Sequence, residues 1–524
     1  MNIYKVIGTS SLALALAFGL NSCKKDYLDT KPSTQVPLED VFKTTAGAKN
    51  VLNGMHRKLF AYGGDHDLFG MPSINMQYDL LGEDFGLSES GLGWFTRAYS
   101  DAQNGTAAPW DLYYSIVTNA NFILTNIEEA KGPEMERNEV KGQAYAYRAW
   151  AYLQLIQTYQ FPYGGLKYIV DGGSGNYGVV GEGATPSQAL GVPLYTEPTK
   201  KPHARASLRE IITQIDNDLD SSIVNFEKGA TNRGSDKSQI NGNIAHGLKA
   251  RSALYQRKWA VAASEAELAR QGLFLSSGNA LLDGFNSTSA GEWMWGAVIN
   301  SEQNGIYASF LSHMDPKVGG YASWAEKIIA NPLIREMPLV PFSKAIDSND
   351  TRAHWWNPSS RAKWPGYEDY KYRSQLKFRA PSEASFAGDY PYMRVPEMYL
   401  IEAEAKALAN DLPGAKAVLE EFAKTRQFDY DASAYNTKDL LVHEIWRQRR
   451  LELWGEGFRF FDAKRQMVVS SGVTPLQDIN RAQSGFYLGS QPATVSAYSN
   501  YLYYLIPGSE ITNNKACLQN PPRI

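Results

Sequence analysis

The stretch from residue 142 to 165 most constrains the fold, because a helix formed by it would have almost no polar face. It reads GQAYAYRAWAYLQLIQTYQFPYGG, with apolar or small residues at helical spacing and one arginine and two glutamines as the main interruptions. A helix that is apolar nearly all round is buried among other helices. Pro162 ends it, since proline cannot continue a helix. The rest of the chain must therefore supply several partner helices.

An internal repeat indicates what those partners are. Residues 250–269 read ARSALYQRKWAVAASEAELA and residues 403–422 read AEAKALANDLPGAKAVLEEF, so that Trp259 aligns with Leu412 at an offset of 153. Both segments are typical of helix, short turn, helix with small residues at the crossing, which is the tetratricopeptide pattern. One such pair cannot bury its apolar face alone, so pairs stack. We predict about four pairs, at 110–161, 208–271, 395–426 and 437–466.

Long stretches without helical periodicity separate the predicted pairs. We therefore predict a mostly α fold, in which tetratricopeptide-like helix pairs carry long irregular insertions packed on one side. The principal insertions are 63–109 and 272–391, and residues 38–524 are predicted to form one helical domain. Insertions of this length are usually functional or folded into a subdomain of their own.

The N-terminus has the features of an exported, lipid-modified protein. Residues 1–22 carry one lysine followed by an apolar segment too short for a comfortable membrane span, which predicts a secretory signal that is removed. Cys23 follows Leu-Asn-Ser, a sequence that resembles a bacterial lipobox, in which the thiol is lipidated. The alternative is an ordinary signal peptide followed by a chance cysteine. Residues 23–37 are polar and broken by proline, so we predict a lipidated cysteine and an extended tether.

Composition limits the classes of partner. The net charge is −3 and the chain has no long run of lysine and arginine, which argues against nucleic acid. Aromatic residues make up 12% of the chain, and its twelve tryptophans are more than a core of this size requires, so some aromatic surface is predicted to bind a ligand. Two cysteines, Cys23 and Cys517, cannot build a disulfide framework or a cysteine-rich metal site.

The two insertions combine aromatic with polar side chains in a way that suits sugars. Sugar C–H faces stack on flat aromatic rings, while sugar hydroxyls bond to asparagine, aspartate and arginine on loops. We predict glycan contacts from Trp94, Arg97, Tyr99, Asp101, Asn104, Tyr307, Asp315, Tyr321 and Trp324. Trp293 and Trp295 alternate as in a strand with one residue facing the core, and packing is favoured for Trp355, Trp356 and Trp364.

The most charged stretch, 444–465, has two interpretations, an anion site or a structural lattice of ion pairs. Its i, i+3 pairs are Arg449 with Glu452, Glu456 with Arg459, and Asp462 with Arg465. Because every base has a nearby acid, we favour the lattice, with each pair exposed on the helix and contributing about 0–1 kcal/mol.

No metal, cofactor or catalytic residue is predicted. Asp65, His66 and Asp67 are potential ligands, but we expect three consecutive residues not to converge on one ion. Paired carboxylates for glycoside hydrolysis are available as Glu302 with Asp315 and as Glu83 with Asp84, and nothing local marks either pair as tuned for catalysis.

Five motifs occur along the chain in a fixed order. They are CKKDYLD at 23–29, AWAYL at 149–153 with the following YGG, RVPEMYLIEAEA at 394–405, EIWRQRRLELWGEGFRFFDAKR at 444–465, and LIP at 505–507 with QNP at 519–521. Together they resemble the SusD/RagB family of Bacteroidetes outer-membrane lipoproteins, and 394–405 is the most specific of them.

The resemblance implies a non-enzymatic binder that is lipid-anchored in the outer membrane and faces the exterior. Such a protein is expected to capture oligosaccharide or polysaccharide and pass it to a TonB-dependent, SusC-like transporter. Family members tend to contact ligands through the two insertions, which supports the predicted site by region only. Two alternatives stay open: a peptide-capturing member of the same family, and a secreted glycoside hydrolase.

Overall fold

The computed structural model describes residues 38–89, 107–171, 177–229, 233, 236–300, 307–330, 349–357, 366, 368–470, 472–481 and 492–522. Helices dominate this part of the chain, and its sheets are small and two-stranded, which confirms the predicted mostly α class. Among the same residues, no helix combines the length and the apolar character that crossing a membrane requires.

The N-terminal half contributes eight of the described helices. They are α1 (Leu38–Val41), α2 (Thr45–Lys58), α3 (Met71–Leu81), α4 (Ala107–Asn126), α5 (Glu134–Tyr159), α6 (Leu208–Lys228), α7 (Gly242–Tyr255) and α8 (Trp259–Arg270). The first two helices are separate because Thr44 is extended and caps α2: its hydroxyl accepts a hydrogen bond from the Gly47 amide at 3.1 Å.

The C-terminal half adds six further described helices. They are α9 (Phe310–Met314), α10 (Val395–Leu408), α11 (Leu412–Lys424), α12 (Lys438–Glu452), α13 (Arg459–Gln466) and α14 (Gly508–Asn513).

Helix α5 lies at the centre of the helical scaffold, as its sequence predicts. It packs against α2, α4 and α6. Trp150 is buried and its ring meets those of Tyr113 and Trp295 edge-on, at centroid distances of 5.3 and 5.4 Å. The polar interruption Arg148 is also buried, and it forms a two-pronged ion pair with Asp218 of α6 at 2.8 and 2.6 Å. Burial of the 142–159 part of α5 is therefore compatible with Arg148, the one charged side chain in that part.

The internal repeat corresponds to two helix pairs, α7–α8 and α10–α11. The aligned residues Trp259 and Leu412 are the first residues of α8 and α11. Helix α8 packs on α10 and so joins the two pairs, while α12 packs on α10 and α11. The segment 208–271 holds three helices rather than two, and its first, α6, packs on α5.

Ten described strands form five antiparallel pairs. They are β1 (Phe85–Leu87) with β7 (Lys327–Ile329), β2 (Lys167–Asp171) with β3 (Tyr177–Glu182), β4 (Leu190–Pro193) with β5 (Arg205–Ser207), β6 (Trp293–Ala297) with β8 (Tyr390–Arg394), and β9 (Ile479–Asn480) with β10 (Thr494–Val495). The β1–β7 pair connects the two insertions that the sequence predicts.

The tryptophans of the second insertion are mostly core residues. The expectation that only one of Trp293 and Trp295 faces the core is wrong, because both faces of β6 are covered and both side chains are buried. Trp355 and Trp356 are buried, which confirms their predicted packing role. Trp364 lies outside the described residues.

Candidate functional site

Two segments that are far apart in sequence meet at one surface. The loop 61–70 follows α2, and residues 307–324 run through α9 and two short 3-10 turns. The rings of His66 and Tyr321 lie 5.4 Å apart between centroids, and Nε2 of His313 donates a hydrogen bond to the His66 carbonyl oxygen at 2.9 Å. We refer to the surface residues of this junction as the aromatic platform, which consists of Tyr62, His66, Tyr307, Tyr321 and Trp324.

Two rings of the platform, those of Tyr307 and Tyr321, are held in place by their neighbours and remain accessible. Tyr321 stacks on His313 with a centroid distance of 4.4 Å and an interplanar angle of 10°. Tyr307 meets Tyr321 edge-on at 4.7 Å, and its hydroxyl donates to the Gly319 carbonyl oxygen at 2.9 Å. Tyr307 is 42% exposed and Trp324 is 58% exposed. Tyr307 and Tyr321 therefore offer apolar surface without the mobility of unsupported side chains, and Trp324 adds an exposed ring beside them.

Local backbone features explain why residues 307–324 adopt this shape. Ser309 caps the short helix α9, and Asp315 caps the following 3-10 turn by accepting from the Lys317 amide at 3.0 Å. Gly319 has a φ of 69°, in the left-handed region that glycine adopts without a steric penalty. The Trp324 amide then donates to the Tyr321 carbonyl oxygen at 3.2 Å, which fixes the two aromatic residues relative to each other.

The imidazole beneath the platform is uncharged. Burial lowers the pKa of His313 well below its usual value. Its Nε2 must carry a proton, since its partner at His66 is a carbonyl oxygen that can only accept. The pKa of the Tyr321 hydroxyl is raised, first by burial and then by its neighbours, among them Tyr307 and Tyr62. Tyr321 is therefore a neutral phenol at physiological pH.

A polar turn adjoins the aromatic rings. The potential metal-ligand atoms of Asp65, His66 and Asp67, one from each residue, lie within 4.8 Å of one another. The expectation that three consecutive residues would not bring such atoms together is therefore wrong. They converge because the chain turns here: the Leu68 amide donates to the Asp65 carbonyl oxygen at 3.1 Å, and the His66 amide donates to Oδ1 of Asp65 at 2.7 Å.

Three of the predicted glycan contacts are close together at this surface. Tyr307, Tyr321 and Trp324 belong to the platform, whereas Tyr62 and His66 were not predicted. Tyr62 immediately precedes the first insertion and His66 lies near its start, so a search of that border for aromatic side chains would have found them. The remaining predicted residues of the first insertion, Trp94, Arg97, Tyr99, Asp101 and Asn104, lie outside the described residues, as does the predicted lipidation site Cys23.

Asp315, also predicted to contact glycan, is buried beneath the platform. Its Oδ1 accepts from the Tyr370 hydroxyl at 2.6 Å, and its Oδ2 accepts from the Ala380 amide at 2.9 Å. A ligand hydroxyl would have to compete with these donors. Direct contact by Asp315 stays a prediction, and its observed hydrogen bonds support the shape of the platform.

The carboxylates considered for hydrolysis are engaged in ion pairs. Glu83 and Asp84 are buried, and Asp84 accepts from Nε of Arg450 at 2.9 Å while Glu83 accepts from Arg459. Burial raises the pKa of Asp84, but the adjacent Arg450 and Arg459 outweigh it and hold the pKa below its usual value. A general acid needs the opposite shift. Glu302 lies outside the described residues.

The charge-dense stretch 444–465 forms a structural lattice, as favoured, but most of its charges are buried rather than exposed, and most of their partners are distant in sequence. Arg465 pairs with Asp462 at 2.8 Å, as predicted. The predicted pairs of Arg449 with Glu452 and of Glu456 with Arg459 are wrong, since these residues face other elements. Arg449 pairs with Asp462, Arg459 with Glu83, Glu452 with Arg394 and Arg426, and Glu456 with Lys377 and Arg394.

Comparisons with known proteins agree with this architecture. A family model described as SusD family matches residues 343–522, and one described as starch-binding associating with outer membrane matches residues 26–226. The chain is 26% identical to a SusD-like carbohydrate binding protein from Bacteroides vulgatus ATCC 8482, with a TM-score of 0.70 over 90% of this chain and 97% of that chain.

Two further solved structures show the same fold. A SusD superfamily protein from Bacteroides vulgatus ATCC 8482 is 19% identical, with a TM-score of 0.72 over 92% of this chain and 100% of that chain. A SusD superfamily protein from Bacteroides fragilis is 18% identical, with a TM-score of 0.67 over 91% of this chain and 100% of that chain. None of the curated proteins matches the chain.

Proposed function

The chain belongs to the SusD family, and from that premise we propose that it is a carbohydrate-binding lipoprotein of the outer membrane. The aromatic platform holds an oligosaccharide or a segment of polysaccharide, and the protein performs no chemistry on it. The similar protein from Bacteroides vulgatus is described as carbohydrate binding, which supports the class of ligand.

The observation that carries this proposal is the arrangement of Tyr307, Tyr321 and Trp324. Their rings are partly exposed, and Tyr321 is fixed by its stack on His313. Sugar C–H faces gain most from rings that are already in position, because less side-chain entropy is lost on binding. The polar turn at Asp65 adjoins the rings, so sugar hydroxyls would meet hydrogen-bonding groups at the edge of the apolar surface.

The anchor and the transporter are part of the same proposal. Lipidation at Cys23 would attach the mature chain to the outer membrane facing the exterior, and captured glycan would be passed to a TonB-dependent, SusC-like transporter. The family description of association with the outer membrane supports this location. Affinity in the micromolar to millimolar range, about −8 to −4 kcal/mol, would suit a protein that must release its ligand to a transporter.

Isothermal titration against a panel of plant, host and microbial polysaccharides tests the proposal. The protein would be the mature chain with Cys23→Ser, and the panel would include peptides. We expect binding to one polysaccharide class, loss of affinity in Tyr321→Ala, and unchanged affinity in Tyr498→Ala. Tyr498 is a suitable control because it is 48% exposed and makes no ring contact with the platform among the described residues.

Two other outcomes would overturn parts of this proposal. Binding only to peptides, unaffected by Tyr321→Ala, would favour the peptide-capturing alternative and would leave the fold unchanged. New reducing ends on long incubation with a bound polysaccharide would favour the glycoside hydrolase alternative. The ion pairs of Glu83 and Asp84 speak against that alternative for one of the two carboxylate pairs considered.

A further inference from the structure

A second concave surface, which includes none of the platform residues, runs along α4. This groove has a volume of about 710 Å³ and lies between α4, the loop 195–200 and Glu510 of α14. Its floor is aromatic: the rings of Trp110 and Tyr114 lie 4.7 Å apart, and Tyr114 meets Tyr195 at 5.9 Å. Trp110 is buried, whereas Tyr114 and Tyr195 are half-buried and leave part of their ring surface open to the groove.

The walls of the groove are fixed by buried hydrogen bonds. Nδ2 of Asn121 donates to the carbonyl oxygens of Tyr195 and Glu197 at 3.1 and 3.3 Å, and Arg148 of α5 donates to Oδ1 of Asn121 at 2.8 Å. The Tyr114 hydroxyl donates to the Pro193 carbonyl oxygen at 2.7 Å. The loop is thus attached to α4 and α5, and the groove is a preformed part of the fold.

The rim of the groove is acidic. Asp111, Glu197 and Glu510 contribute three carboxylates to the lining, which also contains Lys200, and Lys58 lies close enough to Asp111 to oppose the rise that burial causes in its pKa. An occupant that combines apolar side chains with positive charge would complement both the floor and the rim.

The tether leads to one end of this groove. The described residues begin at Leu38, and Phe42 lies four positions further on. The ring of Phe42 stacks on Phe122, a lining residue of the groove, with a centroid distance of 6.4 Å and an interplanar angle of 16°. The segment immediately before Leu38 therefore joins the body of the protein beside the Phe122 end of the groove.

The tether also has the required composition and length. Residues 24–37 read KKDYLDTKPSTQVP, with three lysines against two aspartates and the apolar pair Tyr27 and Leu28. Fourteen extended residues reach about 46 Å. The lining residues of α4 from Phe122 to Trp110 span only about 18 Å of helix, so the tether could follow the whole groove.

We propose that residues 24–37 of the same chain lie extended in the groove on α4, with Tyr27 and Leu28 on the aromatic floor and lysines beside the acidic rim. Docking of the tether would hold the body of the protein close to its lipid anchor and in a restricted orientation. This inference does not depend on glycan binding and would stand if the aromatic platform bound something else.

Disulfide trapping in the full mature chain tests the proposal. One protein would carry Cys23→Ser, Thr30→Cys in the tether and Thr118→Cys in the groove; a matched control would carry Ser264→Cys on α8 in place of Thr118→Cys. Thr118 and Ser264 are both exposed, so neither change should prevent folding. Cys517 is buried and burial raises its pKa to about 12, so it stays an unreactive thiol.

We expect the intramolecular disulfide to form at least about tenfold faster with Thr118→Cys than with Ser264→Cys, because docking raises the effective concentration of the two thiols. Changing Lys24, Lys25 and Lys31 to Glu should reduce that ratio at least about threefold. Equal rates at the two positions would overturn the proposal. Disulfide-linked dimers would assign the groove to a second copy, and slower trapping with added oligosaccharide would assign it to glycan; either would also overturn it.

Discussion

Two regions of the molecule concentrate side chains that often mark a functional site, and they use them in opposite ways. The first, which we term the buried charge lattice, consists of Glu292, Arg352, Arg394, Arg426, Glu452 and Glu456. All six are buried and bond to one another, and Arg394 alone donates to three carboxylates. In the aromatic platform, by contrast, Tyr307 and Trp324 are strongly exposed.

The difference shows which property indicates binding. A buried charged group whose hydrogen bonds are all made to residues of its own chain has none left for a ligand. A high density of charge in the sequence therefore does not by itself indicate a binding site. Burying such charges is expensive, so a buried lattice contributes to structural specificity more readily than to net stability. Apolar rings that the fold holds in place at the surface are the feature that needs a ligand to explain it.

The largest effect is expected from Arg394→Met, which removes one member of the buried charge lattice. Nη1 of Arg394 donates to Glu292 and Glu452 at 2.7 and 2.9 Å, and Nε donates to Glu456 at 3.0 Å. Loss of the guanidinium leaves these carboxylates buried with fewer partners, which should reduce the free energy of unfolding by about 3–5 kcal/mol. Urea unfolding measures this.

The same variant tests whether the two regions are independent. Glycan affinity per folded molecule should equal that of the unchanged chain, because the carboxylates that bind Arg394 belong to Glu292, Glu452 and Glu456, which are not platform residues. A loss of affinity that exceeds the unfolded fraction would mean that the lattice also shapes the binding surface.

A second large effect on stability is expected when the pH is lowered. Burial raises the pKa of Glu452, but Arg426 and Arg394 outweigh it and hold the pKa well below 4.5; the pKa of Glu456 is also lowered, where burial is outweighed by Arg394 and Lys377. Groups with a depressed folded pKa contribute stability that is present above the unfolded value and lost as pH falls through the folded value. The urea midpoint should therefore decline steadily below about pH 4.5.

One buried carboxyl group, that of Asp79, changes stability with pH in the opposite direction. The prediction therefore applies only to acidic pH. Burial raises the pKa of Asp79 from 3.8 to about 8, so its contribution favours folding at low pH and is lost as pH rises through that window. Below pH 4.5 the lattice glutamates should determine the pH dependence of stability. The urea midpoint of Arg394→Met should decline less steeply there than that of the unchanged chain. A urea midpoint that stays constant from pH 5 to pH 3 would contradict a stabilising role for the ion pairs of Glu452 and Glu456.

The sequence predicted the scaffold well because helical periodicity is a local property. The apolar stretch of α5 and the alignment of Trp259 with Leu412 both correspond to observed helices. The partners of Glu452 could not be predicted in the same way. Its neighbour at i−3, Arg449, was the local candidate, but the actual partners Arg394 and Arg426 come from elements whose position depends on the whole fold.

The candidate site was predictable in part, for a related reason. Exposed aromatic residues in a long insertion can be recognised by composition, and Tyr307, Tyr321 and Trp324 do lie together. His66 joins them only because a turn at Asp65 meets α9, and that contact spans 247 positions between His66 and His313. Asp315 has a residue type that suits sugar binding, but sequence does not show that its oxygens are used by Tyr370 and Ala380.

A smaller effect is expected from Trp324→Ala, which removes an exposed ring from the aromatic platform. Trp324 is 58% exposed, so its removal should change the free energy of unfolding by no more than about 0.5 kcal/mol. Glycan affinity should fall by about 0.5–1.5 kcal/mol, which is about 2- to 12-fold. Phe274→Ala, at an aromatic residue that is 80% exposed, provides the control and should leave affinity unchanged. Equal losses in both variants would show that the effect is not specific to the platform.

The smallest effect is expected from Lys424→Ala. This change also breaks an ion pair, but one at the surface, so it separates the effect of pairing from the effect of burial. Nζ of Lys424 lies 3.2 Å from Glu420 on the surface of α11, with the two side chains 52% and 31% exposed. Water solvates both charges once the pair is broken, so the free energy of unfolding should change by less than about 0.5 kcal/mol. A urea titration beside Arg394→Met measures both on one scale. A loss above about 2 kcal/mol would show that pairing itself, rather than burial, determines the cost in this protein.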